Sequence, residues 1–133
     1  MADVGLTHVA LEACDLEASI SFYAEFAGMQ VVHRRPGVVW MGLRTQSVVI
    51  VLLESNHVET PLRPNAHLGV ACASHDEVDR LCAKAQQQER LIEGPTEYGP
   101  PVGYWAFLRD PDGHTLEISY GQEVGKIVEA SGS

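Results

Sequence analysis

Residues 66–82 read A-H-L-G-V-A-C-A-S-H-D-E-V-D-R-L-C, and the fold can be worked out from this stretch and its surroundings. Ala66 to Ala73 is apolar apart from His67 and is predicted as a strand. Ser74 and Glu77 then stand at the S-x-x-E spacing of a capping box, in which the serine oxygen accepts a free N–H of the first helical turn. Val78, Leu81, Cys82 and Ala85 follow on one helical face.

The same grammar occurs earlier. Gly5 to Ala13 is a predicted strand carrying His8, and Asp15 is the N-cap of a helix with Leu16, Ile20, Tyr23 and Ala27 at helical spacing and Gly28 as its stop. When Thr7-His8-Val9 is laid over Ala66-His67-Leu68, Asp15 falls on Ser74 and Phe22 on Leu81. The two histidines are 59 positions apart, 67 less 8. Three β-rich runs follow the first helix: Met29 to Arg35, Val38 to Arg44 after a Pro36-Gly37 turn, and Val48 to Glu54. The second helix is followed by a short strand at Arg90 to Glu93, a Gly/Pro-rich loop from Gly94 to Val102, and strands Tyr104 to Arg109 and Thr115 to Tyr120. Asp110-Pro111-Asp112-Gly113 forms the tight turn between the last two. Asn56 to Asn65, with Pro61 and Pro64, is a linker, and Gln122 to Ser133 reads as a partly loose polar tail. The expectation is an α+β fold: one domain, 1–133, made of two βαβββ modules, 1–62 and 63–133, whose sheets form half-barrels around a shared cleft.

Bulk properties narrow the function. A chain of 133 residues with 45% hydrophobic and 20% charged residues suits one folded domain and argues against disorder. A net charge of −9 with no basic stripe argues against a nucleic-acid partner. Cys14, Cys72 and Cys82 form no C-x-x-C pair, so three free, core-filling thiols in a reducing cytoplasm are expected. Met1 to Thr7 lacks the basic-then-apolar pattern of a signal peptide, and the longest apolar run, Val48 to Leu53, is too short to span a bilayer. A cytoplasmic protein without membrane contact is expected.

His8 and His67 occupy matching repeat positions, and Glu117 lies between Leu116 and Ile118 in the last strand. Singly, either histidine reads as a hydrogen-bonded strand residue and the glutamate as solvent-facing. Together they are two imidazoles and a carboxylate, a donor set suited to Fe(II), Mn(II), Zn(II) or Ni(II) with positions left open for a substrate. His75 reads as solvated, and His114 as lying near a site entrance.

The strings L-T-H-V-A-L, D-L-E-A-S-I-S-F-Y, A-H-L-G-V and F-L-R-D-P-D-G-H-T-L-E-I carry a family resemblance over Leu6 to Gly121. The chain resembles the vicinal oxygen chelate superfamily, which includes glyoxalases, extradiol dioxygenases, fosfomycin-resistance enzymes and bleomycin-binding proteins. The resemblance implies His8, His67 and Glu117 as metal ligands, with Glu117 also catalytic. It further implies a homodimer that exchanges modules, so that His8 of one copy meets His67 and Glu117 of the other.

The implied function is a metal-dependent enzyme, dioxygenase-like or transferase-like, that holds a small molecule through two adjacent oxygens. One alternative is a glyoxalase-like lyase or isomerase; the other is a non-catalytic drug-binding protein of the bleomycin-resistance type. Glyoxalases carry a second glutamate near the close of the first module. Matching Gln46-Ser47-Val48-Val49 to Gly113-His114-Thr115-Leu116 puts Ile50 opposite Glu117, with Glu54 on the parity of Ile50 as the substitute carboxylate. Phe107 stands where the ring-cleaving and fosfomycin branches carry tyrosine, and Lys126 lies near one basic position of the latter. Trp40, Tyr98, Tyr104, Trp105 and Phe107 are candidates to line the cleft and stack on a planar substrate, with plain packing as the other reading of each.

Overall fold

The computed structural model describes residues 2–132. The elements in chain order are β1 (His8–Ala13), α1 (Leu16–Ala27), β2 (Gln30–Arg35), β3 (Val38–Gly42), β4 (Val49–Glu54), β5 (His67–Ala71), α2 (His75–Gln87), β6 (Leu91–Glu97), β7 (Tyr104–Arg109), β8 (Thr115–Tyr120) and α3 (Val124–Ser131). They form two compact units. One runs to Pro61 and takes in Asp110–Asp112; the other holds Leu62–Arg109 and the chain from Gly113 onward. Each contains a mixed four-stranded sheet with helix packed on it, an α+β fold.

In the first unit the strand order is β1-β4-β3-β2, with β1 parallel to β4 and the other pairs antiparallel. Strand alternation sends Leu11, Ala13, Val39, Met41, Ile50 and Leu52 to one face, where all are buried. Helix α1 packs on this sheet through Leu16, Phe22, Tyr23 and Phe26. Burying a side chain of this size contributes about 1.5–3 kcal/mol. Asp15 caps the helix by accepting from the Ala18 N–H at 3.1 Å, and Gly28 ends it at φ 65°. The opposite face carries His8, Ala10, Trp40 and Val51. The turn residues Asp110 and Asp112 do more than reverse the chain. Asp110 accepts from the Tyr23 hydroxyl, and Asp112 from the Cys14 N–H at 3.0 Å and the Ser19 hydroxyl at 3.4 Å.

The second unit repeats the plan with order β5-β8-β7-β6 and β5 parallel to β8. Val78, Leu81, Cys82 and Ala85 of α2 are buried, as are Ala106, Leu108, Leu116 and Ile118 of the sheet. Ser74 caps α2 by accepting from Glu77 N–H at 3.1 Å. The Glu77 carboxylate reaches one residue further back than a capping box requires, to the Ala73 N–H at 3.2 Å.

Several local expectations change. Strand β6 continues to Glu97, through the segment read as loop, because it is an edge strand that tolerates Pro95 and bulges at two places. Gly94 is required there: at φ 93° a Cβ would lie 2.7 Å from the Trp105 carbonyl oxygen. Part of the expected loose tail is helix α3, with Val124, Ile127 and Val128 exposed; Ser133 lies outside the described residues. All three cysteines are free, but only Cys72 and Cys82 fill the core, since Cys14 is exposed. No helix among the described residues is long and apolar enough to cross a membrane.

Candidate metal centre

Register decides which side chains share a face. In the second unit His67 aligns with Thr115, Gly69 with Glu117, and Phe107 with Glu117. Aligned neighbours in a sheet project to the same side, so His67, Phe107 and Glu117 lie on the face opposite α2. Ring contacts continue the row: His67 to Phe107 at 4.9 Å, Phe107 to Trp105 at 4.8 Å, and Trp105 to Tyr98 at 5.3 Å. Tyr104 has the other parity. It stacks on His75 at 4.2 Å and donates to Asp79 of α2, and that hydrogen bond, ahead of desolvation, pushes its pKa up to about 12.

His67 Nδ1 lies 2.7 Å from the Pro64 carbonyl oxygen. A carbonyl can only accept, so Nδ1 carries a proton, and the neutral tautomer this bond selects has its lone pair on Nε2. This tautomer suits a metal ligand, and its ring is held by an outer partner of the usual kind. Glu117 is 7% exposed and accepts one hydrogen bond among the described residues, a long one of 3.4 Å from Gln122 Nε2. A carboxylate this buried and this sparsely bonded is suited to balancing a cation, because desolvating an unpaired charge is costly. Gly69 leaves the space beside it open: a Cβ there would come within 3.5 Å of Glu117 Oε2.

In the first unit His8 opens β1, exposed, with Nδ1 2.8 Å from the Thr7 hydroxyl. Its register partner is Val49, as Thr115 is the partner of His67. Counting on from these pairs, Val51 holds the place that Glu117 holds in the second sheet. The sequence matching, which put Ile50 there, is therefore wrong by one residue. Ile50 points to the helix-covered core. Glu54 shares the parity of Ile50, so its alternation places it on that same side, away from the face of His8. Trp40 aligns with Val51 and contacts the His33 ring at 4.8 Å.

Among the described residues no three His, Cys, Asp or Glu side chains gather into a metal-binding group within the single chain. His67 and Glu117 are brought to one face; His8 belongs to the other unit. His75 is half-exposed and not simply solvated, being 3.4 Å from a Glu97 oxygen as well as stacked on Tyr104. His114 is buried, with Nδ1 accepting from the Leu62 N–H at 3.0 Å, so it braces the linker. Sequence reasoning missed Pro64 and Gln122: a carbonyl partner leaves no trace in side-chain identity, and Gln122 sat in a polar tail without periodicity.

The profile of the Glyoxalase/Bleomycin resistance protein/Dioxygenase superfamily matches residues 5–118. The chain belongs to this superfamily. Among its relatives is an uncharacterised protein of Pseudomonas aeruginosa, 39% identical, with 94% of each chain covered. The lactoylglutathione lyase of Salmonella typhimurium is 28% identical, with 91% of this chain and 96% of the relative covered. A solved structure with the same fold is a mutant of the fosfomycin resistance protein of Listeria monocytogenes with Mn(II) and a dihydroxypropylphosphonic acid. It has a TM-score of 0.71 at 16% identity, covering 89% of this chain and 90% of that one.

Proposed function

We propose that this superfamily member is a divalent-metal-dependent enzyme acting on a small molecule through two adjacent oxygens, with His8, His67 and Glu117 as the ligands. The observation that carries this reading is the pairing of His67, its Nε2 lone pair left available by the Pro64 bond, with the buried Glu117 on one sheet face. His8 would come from a second copy, in a homodimer. When bound, a divalent ion of the Fe, Mn, Zn or Ni type supplies Lewis acidity to the substrate oxygens. The chain's own part is to orient and to exclude water. Pro64 fixes the His67 ring, Phe107 and Trp105 flank the ligands with apolar surface, and Glu117 is available to hold a proton as well as to ligate. Three free thiols are compatible with a reducing cytoplasm.

Two reactions compete. The lactoylglutathione lyase relative favours a glyoxalase-like isomerisation. Val51 at the register position of Glu117 favours a three-residue ligand set instead, as in dioxygenase-like or transferase-like chemistry, because valine can neither ligate nor shuttle a proton. The same three ligands tell against a purely drug-binding role.

Metal analysis of protein purified without chelator tests the core of the proposal, with about one ion per chain expected. Alanine at His8, His67 or Glu117 is expected to abolish uptake; wild-type uptake in all three would overturn it. Oxygen consumption with catechols under Fe(II), set against hemithioacetal turnover under Ni(II), separates the two reactions.

A further inference from the structure

Among the described residues Glu117 has one hydrogen-bonding neighbour, Gln122, and the surroundings of that glutamine suggest a purpose. Gln122 Nε2 lies 3.3 Å from the Val102 carbonyl oxygen and 3.4 Å from Glu117 Oε2. Both partners are acceptors, so the atom between them must be the amide nitrogen, and its two hydrogens are both committed. Val102 is itself held. Its N–H donates to the Gly99 carbonyl at 3.1 Å, the Gly103 N–H donates to the same oxygen at 2.9 Å, and the Tyr98 N–H closes the loop on the Gly103 carbonyl at 3.0 Å. Gly121, at φ 88°, turns the chain just before Gln122, as few other residues could. A self-braced loop thus anchors an amide that grips one oxygen of the carboxylate.

We propose that Gln122 is the positioning residue of Glu117: it fixes the carboxylate's orientation through the 98–103 loop, so that the other oxygen is presented to a divalent cation. This rests on Glu117 being a metal ligand, as proposed above. Gln122 also lines a cleft of about 400 Å³ with His75, Glu97 and Tyr120.

The test is Gln122→Met, which keeps the side chain's length and removes both hydrogen bonds. Mn(II) affinity of the stripped full-length protein, by titration calorimetry, is expected to weaken about 10- to 100-fold, the usual effect of losing a ligand's outer partner. The visible spectrum of the Co(II)-loaded protein, which reports ligand geometry, is expected to shift. An unchanged affinity with an unchanged spectrum would overturn the proposal. Glu117→Ala is run beside it. If that variant loses Mn(II) while Gln122→Met keeps both the wild-type affinity and the wild-type spectrum, only the positioning role fails; if Glu117→Ala binds Mn(II) like the wild type, the metal reading falls with it. Should Gln122→Met not fold, Gln122→Asn carries the same comparison, since a shorter amide cannot span both acceptors.

Discussion

The Tyr23 hydroxyl donates a 2.8 Å hydrogen bond to the carboxylate of Asp110, 87 positions away, and both residues are buried. Burial and the negative neighbour push the phenol far above its ordinary range, so it stays a donor at any physiological pH. Tyr23→Phe removes the donor and leaves Asp110 short of one partner. Urea unfolding is expected to show a loss of about 1–3 kcal/mol.

Alkaline pH should destabilise the chain. Burial raises the Cys72 thiol from 9.0 to about 12 and the Cys82 thiol from 9.0 to about 11. The folded state therefore keeps protons that the unfolded state releases above pH 9. The stabilisation is complete below that pH and is lost as pH rises towards about 11–12. Tyr23 acts in the same sense. Melting temperatures should hold from pH 8 to about 9 and decline from there to pH 11, and Cys72→Ala with Cys82→Ala should flatten the decline. In native protein at neutral pH, iodoacetamide should modify Cys14 alone, because it is the exposed thiol.

Val51→Glu places a carboxylate where the second sheet has one. Without metal the buried charge is expected to lower stability by about 1–3 kcal/mol. With Ni(II) the variant should recover more than the wild type gains, since a tenfold tighter site adds about 1.4 kcal/mol. Thermal melts with and without Ni(II) check this. Equal Ni(II) shifts in the two proteins would show that residue 51 does not face the ion.

Gly69→Val fills the space beside Glu117. An alanine Cβ would sit at 3.5 Å from the carboxylate, an ordinary contact, so Gly69→Ala should bind Mn(II) nearly as the wild type does. The branched valine should weaken binding by about tenfold or more, by displacing the carboxylate. Calorimetric titration of the two variants separates crowding from a general effect of substitution.

Much of the fold is legible in residue order because its signals are local. Asp15 and Ser74 cap the helices they announce, Gly28 ends the first, and β7 and β8 begin and end where alternation and the D-P-D-G turn put them. Strand β6 was harder, because Gly94 and Pro95 mark a loop in isolation and become acceptable only at a sheet edge. The tail helix α3 was missed because its one apolar stripe, Val124, Ile127 and Val128, is short, set in a polar tail and buried against nothing.

Residue order by itself determined the two repeats, the alternation that gives each strand its faces, and the placing of His67 and Glu117, side chains of metal-ligating type, on strands of the second repeat. Only the tertiary structure decided which residues stand opposite one another. Strand register depends on hydrogen bonds between segments far apart in the chain, and a slip of one residue turns every side chain to the other face. That slip separates Val51 from Ile50 as the counterpart of Glu117. Likewise, the bonds from the Pro64 carbonyl and the Gln122 amide exist only once the folded backbone has brought them alongside His67 and Glu117.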